Sequence, residues 1–115
     1  MKQTAIFQML SDETRLRALA LMAAEKELCV CELVHALEIS QPKISRHMAT
    51  MRDAGIVRSR RHAQWVFYSI SPDLPDWQGR VIEAAVKGCE TDSMTKQDKR
   101  RLGTMKGRPE RCSAA

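Results

Sequence analysis

No apolar run in this 115-residue chain approaches the roughly 20 residues that a membrane-spanning helix needs, and 29% of its residues are charged. Its start shows no basic stretch leading into an apolar core and a small-residue cleavage site. Export is therefore not expected, nor a membrane partner, and cytoplasmic residence is. The parts of common enzymes are missing as well. There is no Cys-x-x-Cys pair for thiol redox work and no Cys-x5-Arg loop to cradle an oxyanion. A Ser/His/Asp set and a glycine-rich nucleotide loop are also lacking. Neither catalysis nor a catalytic cofactor is expected, and no internal repeat is visible.

What is present is one domain's worth of chain, 43% hydrophobic. A protomer of this size buries only about two-thirds of its unfolded surface, so dimerisation would usefully add to the burial. The net charge of +5 is unevenly spread. Residues 1–90 hold 12 basic against 11 acidic residues, and residues 91–115 hold 7 against 3. Within 41–64, Lys43, Arg46, Arg52, Arg58, Arg60 and Arg61 face Asp53 alone. A near-neutral body with one concentrated basic surface suits a polyanion, although a charge run can also be a solvated face.

The four cysteines are Cys29, Cys31, Cys89 and Cys112. In a reducing compartment disulfides are rare, and two residues apart, Cys29 and Cys31 are expected to bridge each other only under severe strain. Free thiols are the expectation. Two thiolates are soft ligands, but at i and i+2 of a regular helix they point to opposite faces. One guest held by both must distort the backbone or sit where the helix has not yet formed. Two small buried hydrophobes is the plainer alternative.

Along the chain, residues 3–10 suit a short apolar helix, and Ser11 can cap a second that buries Leu16, Leu19, Ala20 and Ala23. A third helix covers about 30–37, with Val30, Leu33, Val34 and Leu37 inside. After the turn Glu38 to Gln41, a fourth begins with Pro42 in its first turn, where the missing N–H is harmless. Ile44, Met48 and Met51 mark its buried face; Lys43, Arg46 and Thr50 look outward. Helix, tight turn and helix with basic outward residues is the helix-turn-helix pattern. Residues 57–60 and 65–70 then read as a hairpin around a His62-Ala63 turn, a wing whose arginines can reach phosphates. Trp77, Val81, Ile82, Ala85 and Val86 define a last amphipathic helix ending near Gly88. The expected fold is mainly α with a small β-hairpin: a winged helix-turn-helix domain over 1–90, then a basic, disordered tail over 91–115.

Residues 4–90 resemble the ArsR/SmtB family of winged-helix metalloregulators. The resemblance is carried by Leu10-Ser11-Asp12-Glu13-Thr14-Arg15, by Glu27-Leu28-Cys29-Val30-Cys31-Glu32-Leu33 and by Ser40-Gln41-Pro42-Lys43-Ile44-Ser45-Arg46-His47. The hairpin from Gly55 to Ser71 continues it. The resemblance implies a homodimer, formed through the first and last helices, that represses a resistance operon from a palindromic double-stranded operator until a metal or metalloid releases it. The interface would use Ile6, Met9 and Leu10 with Val81, Ile82, Ala85 and Val86; the alternative for these positions is internal core. DNA contacts would come from Ser40, Gln41, Lys43, Ser45, Arg46 and His47, with Arg58, Arg60, Arg61 and Gln64 from the wing. His47 is as well placed for packing.

The Cys-Val-Cys-Glu-Leu run is similar to that of the arsenite- and antimonite-responsive members, which implies As(III) or Sb(III) as inducer on Cys29 and Cys31. Such members often carry a third cysteine where this chain has Val34. Either two protein thiolates suffice with an external thiol, or Cys89 or Cys112 completes the site. Cadmium/lead sensors of the family take further cysteines from an N-terminal extension not seen here. Zinc and nickel sensors use Asp and His on the last helix, and this chain has no His beyond His62. A thiol-redox or cadmium/lead-responsive repressor of the same fold is the alternative.

Overall fold

The computed structural model describes residues 3–109. Its elements are α1 (Gln3–Leu10), α2 (Glu13–Glu25), β1 (Leu28–Cys29), α3 (Val30–Leu37), α4 (Gln41–Asp53), β2 (Val57–His62), β3 (Trp65–Ile70), α5 (Asp76–Gly88) and α6 (Ser93–Thr104). The helix-turn-helix is α3 and α4, and the wing is the β2–β3 hairpin. None of the helices among the described residues is long and apolar enough to cross a membrane.

Local chemistry explains most boundaries. Asp12, rather than the expected Ser11, caps α2: its carboxylate accepts the Arg15 backbone N–H at 3.0 Å. The Ser11 hydroxyl instead donates to the Gln8 carbonyl and finishes α1. A carboxylate also suits the positive end of the helix better than a hydroxyl does. Glu38, in the left-handed region at φ 55°, closes α3 by donating its N–H to the Val34 carbonyl. Gly55 takes φ 80° behind α4, as a terminating glycine should.

β2 and β3 pair antiparallel from Val57↔Ile70 to His62↔Trp65, so the turn falls on Ala63-Gln64, one residue later than expected. The two residues of β1 add a third strand on the other side of β3, with Leu28 opposite Tyr68 and Cys29 opposite Phe67. The core joins α2, α3 and α4 through Leu19, Leu21, Met22, Leu33, Ile44, Met48 and Met51, all essentially inaccessible.

Two expectations change. Ile6 and Ile82, assigned to the dimer interface, are 0% and 3% exposed and belong to the protomer's own core. They lie on the inner sides of α1 and α5, which pack on each other and on α2. Met9, Leu10, Val81, Ala85 and Val86 remain partly accessible, beside an exposed Phe7. The tail beyond Thr91, expected to be disordered, carries α6, which packs on α2 and α3. Its inner face is Thr95, Asp98 and Leu102. Asp98 is completely buried and takes the guanidinium of Arg17 (2.9 and 2.8 Å) and that of Arg101 (2.8 Å).

Candidate functional site

The cysteine pair sits at the junction of β1 and α3. Cys29 is extended (φ −83°, ψ 165°) and forms the N-cap of α3, while Cys31 lies in its first turn. Their Cα atoms are 5.4 Å apart and a disulfide joins them in this structure. Free thiols were expected, with a shared guest either distorting the backbone or sitting where the helix has not yet formed; the sulfurs are joined instead, and the pair stands at the second of those places. The difference has a simple cause: the helix starts between the two residues, so the 100° step of a regular helix does not separate them. A guest shared by both sulfurs therefore need not unwind α3.

The backbone under the pair is fixed by Glu32. Its carboxylate is wholly buried and accepts the Cys29 N–H at 2.9 Å. Arg108, beyond α6, donates to the other oxygen of the same carboxylate and to Glu25 at 2.8 Å. Burial works against the Arg108 charge, but its bonds to Glu25 and Glu32 outweigh that and raise its pKa. Neither Glu32 nor Arg108 stood out in the sequence. One is an ordinary-looking helix acid, and the other is distant in the chain and surrounded by basic residues.

Among the described residues, no group of three His, Cys, Asp or Glu side chains is placed to hold a metal ion. Cys89 does not approach the pair. It lines a different cavity with Arg17, Asp92 and Thr95, and burial, helped by the charge of Asp92, raises its thiol pKa. A thiol held protonated is a poor ligand. Cys112 lies outside the described residues.

Cys29 and Cys31 open onto a cavity of about 710 Å³. Val30, Val34 and His35 of α3, Gln64 of the wing's turn, Trp65, Val66 and Tyr68 of β3, and Met105 line it. Gln41 and Ser45, from the first turns of α4, border the same space and bond to each other at 2.7 Å. The sequence offered no signal for Trp65 or Met105, because nothing local ties them to the cysteines.

On α4, Ser40 is the N-cap, and Gln41, Lys43 and Arg46 are exposed, with Ser45 half-buried. His47 turns inward instead: Arg15 lies 3.2 Å from its Nδ1, and its Nε2 is 3.9 Å from Asp12. It fastens α4 to the start of α2. On the wing, Arg58, Arg61 and Gln64 are exposed. Arg60 is engaged within the protein, donating to Glu27 at 2.8 Å with its guanidinium 4.9 Å from the centre of the Phe67 ring. That is a cation–π contact combined with an ion pair.

A two-helix reader with its cationic face outward, followed by a wing, defines a winged helix-turn-helix regulator of transcription. Residues 12–59, which span the cysteine pair and α4, match the family described as bacterial regulatory protein, arsR family. The chain is 47% identical over 105 residues to the arsenic resistance transcriptional regulator ArsR1 of Pseudomonas putida, covering 91% of this chain and 80% of that one. It is 44% identical over 89 residues to the arsenical resistance operon repressor of Escherichia coli, covering 77% and 75%. Among solved structures, the AntR antimony-specific transcriptional repressor superposes with a TM-score of 0.63 at 26% identity, covering 76% of each chain. The chain belongs to the arsR family, whose members named here are transcriptional regulators and not enzymes.

Proposed function

We propose that this chain is a metalloid-responsive repressor that binds operator DNA as a homodimer and releases it when As(III) or Sb(III) seats on Cys29 and Cys31. The carrying observation is that the cysteine pair and the first turns of the DNA-reading helix, at Gln41 and Ser45, line one cavity. In the reduced protein the two thiols condense with arsenous acid. Two As–S bonds replace two As–O bonds, and the thiol protons leave with the hydroxides as water. A guest there occupies space bordered by Gln41, Ser45 and Trp65, so its load falls on α4 and the wing rather than on the hydrogen bonds of α3. Release requires only that the guest fit the DNA-free arrangement better. The names of the relatives, which include arsenic-resistance regulators and an antimony-specific repressor, favour the same inducers.

Base reading is assigned to Gln41 and Arg46, and phosphate or sugar contact to Ser40, Lys43, Ser45, Arg58, Arg61 and Gln64. His47 and Arg60 are assigned to the scaffold. The dimer would form through Phe7, Met9 and Leu10 with Val81, Ala85 and Val86, which sedimentation can test.

An operator selected from a random duplex pool provides the assay. Cys29→Ser and Cys31→Ser should bind it like the parent chain yet fail to release it with arsenite. Release of either variant at the parental arsenite concentration would place the sensor elsewhere. A redox switch has one observation in its favour, the joined sulfurs themselves. Here both thiols lose an electron and a proton to an oxidant such as hydrogen peroxide. Peroxide-driven release without metalloid would establish it. Cadmium or lead, on the same pair, would show as release by those ions at concentrations where arsenite does nothing.

A further inference from the structure

We propose that the cysteine cavity is built for trivalent arsenic carrying one carbon substituent, R–As(OH)2, in preference to arsenite; this rests on the reading of Cys29 and Cys31 as the metalloid thiols. Trivalent arsenic makes three bonds, and this site supplies two sulfurs. The next position on the same face of α3, one turn after Cys31, is Val34. Val34 lines the same cavity as the two sulfurs. Cys89 stands in another cavity, so among the described residues no third sulfur lines the space beside the pair, and Val34 occupies that face of α3.

Val30, Val34, Trp65, Val66 and Met105 make up the larger, apolar part of the lining, with Tyr68, His35 and Gln64 beside them, around a space of about 710 Å³, within the range of about 300–1,000 Å³ typical of small-molecule pockets. Arsenous acid, As(OH)3, needs no such volume. On the polar side, the Gln41 amide donates to the Ser45 hydroxyl. A residual As–OH turned toward Val30, Val34, Trp65, Val66 and Met105 would be an imperfectly paired polar group, whereas a methyl or phenyl group there is removed from water. The chemistry balances without an oxidant: R–As(OH)2 and two thiols give R–As(S-Cys)2 and two waters, with the As–C bond intact.

Trp65 lines the cavity and Trp77 is exposed on α5, so W77F leaves a single indole beside the site. The reduced full chain with W77F is titrated with phenylarsine oxide, methylarsonous acid and sodium arsenite in buffer free of small thiols, with Trp65 emission as readout. Both organic arsenicals should saturate at concentrations at least tenfold below arsenite. Val34→Cys should lower the arsenite requirement at least tenfold without improving the organic compounds. Val34→Ser, which enlarges the space but adds no sulfur, should not. Arsenite saturating at or below the phenylarsine oxide concentration overturns the proposal. So does a Cys112→Ser variant that needs more arsenite than the parent, because a third protein sulfur is then in use. If no arsenical alters Trp65 or protects Cys29 and Cys31 from alkylation, the metalloid reading itself fails, and not merely its selectivity.

Discussion

Asp12 shows how much one side chain contributes to the frame around the reading helix. Burial pushes its pKa up, but the Arg15 backbone N–H and the charges of His47 and Arg15 prevail and hold it below the ordinary value of 3.8. A carboxyl whose pKa is lower in the folded than in the unfolded chain stabilises the fold above its unfolded pKa. That contribution disappears as pH falls through the folded pKa. Asp12→Asn should therefore cost stability at neutral pH, on the order of 1 kcal/mol or less since asparagine still caps. The gap between the two proteins should close in urea titrations as pH drops below the usual carboxylate range. A gap that persists at pH 2 would mean the cap bond, not the charge, matters. The sequence signalled a cap here but placed it one residue early, because Ser11 and Asp12 are both competent caps and only the closing of α1 decides between them.

At the scale of elements, the helix-turn-helix, the wing and α5 were legible because each has an apolar face of regular period. β1 was not: two residues carry no alternation, and its pairing with β3 is set by distant chain. α6 was missed for a different reason. Its buried face presents Thr95 and Asp98 alongside only one large apolar residue, Leu102, so a hydrophobic pattern reads it as solvated. Asp98 supplies what hydrophobes do elsewhere. It gathers Arg17 and Arg101, which donate to the Leu37 and Ala36 carbonyls at the C-terminal end of α3. The bond from Asp98 raises the Arg17 pKa, against its burial. With Arg108 on Glu32 at the other end, the C-terminal segment grips α3 at both termini. Asp98→Ala leaves two guanidiniums without their shared partner, a loss of about 3 kcal/mol for a broken buried pair. Hydrogen exchange should show the amides of α6 losing protection before those of α4. Equal loss in both would mean that α6 has no separate role.

For the whole molecule, the basic surface recognised in the sequence divides into two populations that composition could not separate. Lys43, Arg46, Arg58 and Arg61 stand exposed on α4 and the wing, whereas Arg60 is engaged with Glu27 and Phe67. An alternating strand read one residue at a time gives no hint of this, because Glu27 comes from the loop before β1. The distinction is measurable through counterion release, where each phosphate neutralised adds about 0.9 to the slope of log K against log salt. If Arg61 of each protomer meets one phosphate, Arg61→Ala should flatten the slope of a dimer by about 1.8 while leaving the melting temperature of the free protein unchanged. Arg60→Ala should do the reverse, lowering the melting temperature by freeing the wing from Glu27 and changing the slope by less than half as much. Equal slope changes for the two variants would return Arg60 to the DNA-contacting set and make its pairing with Glu27 a feature of the unbound protein alone.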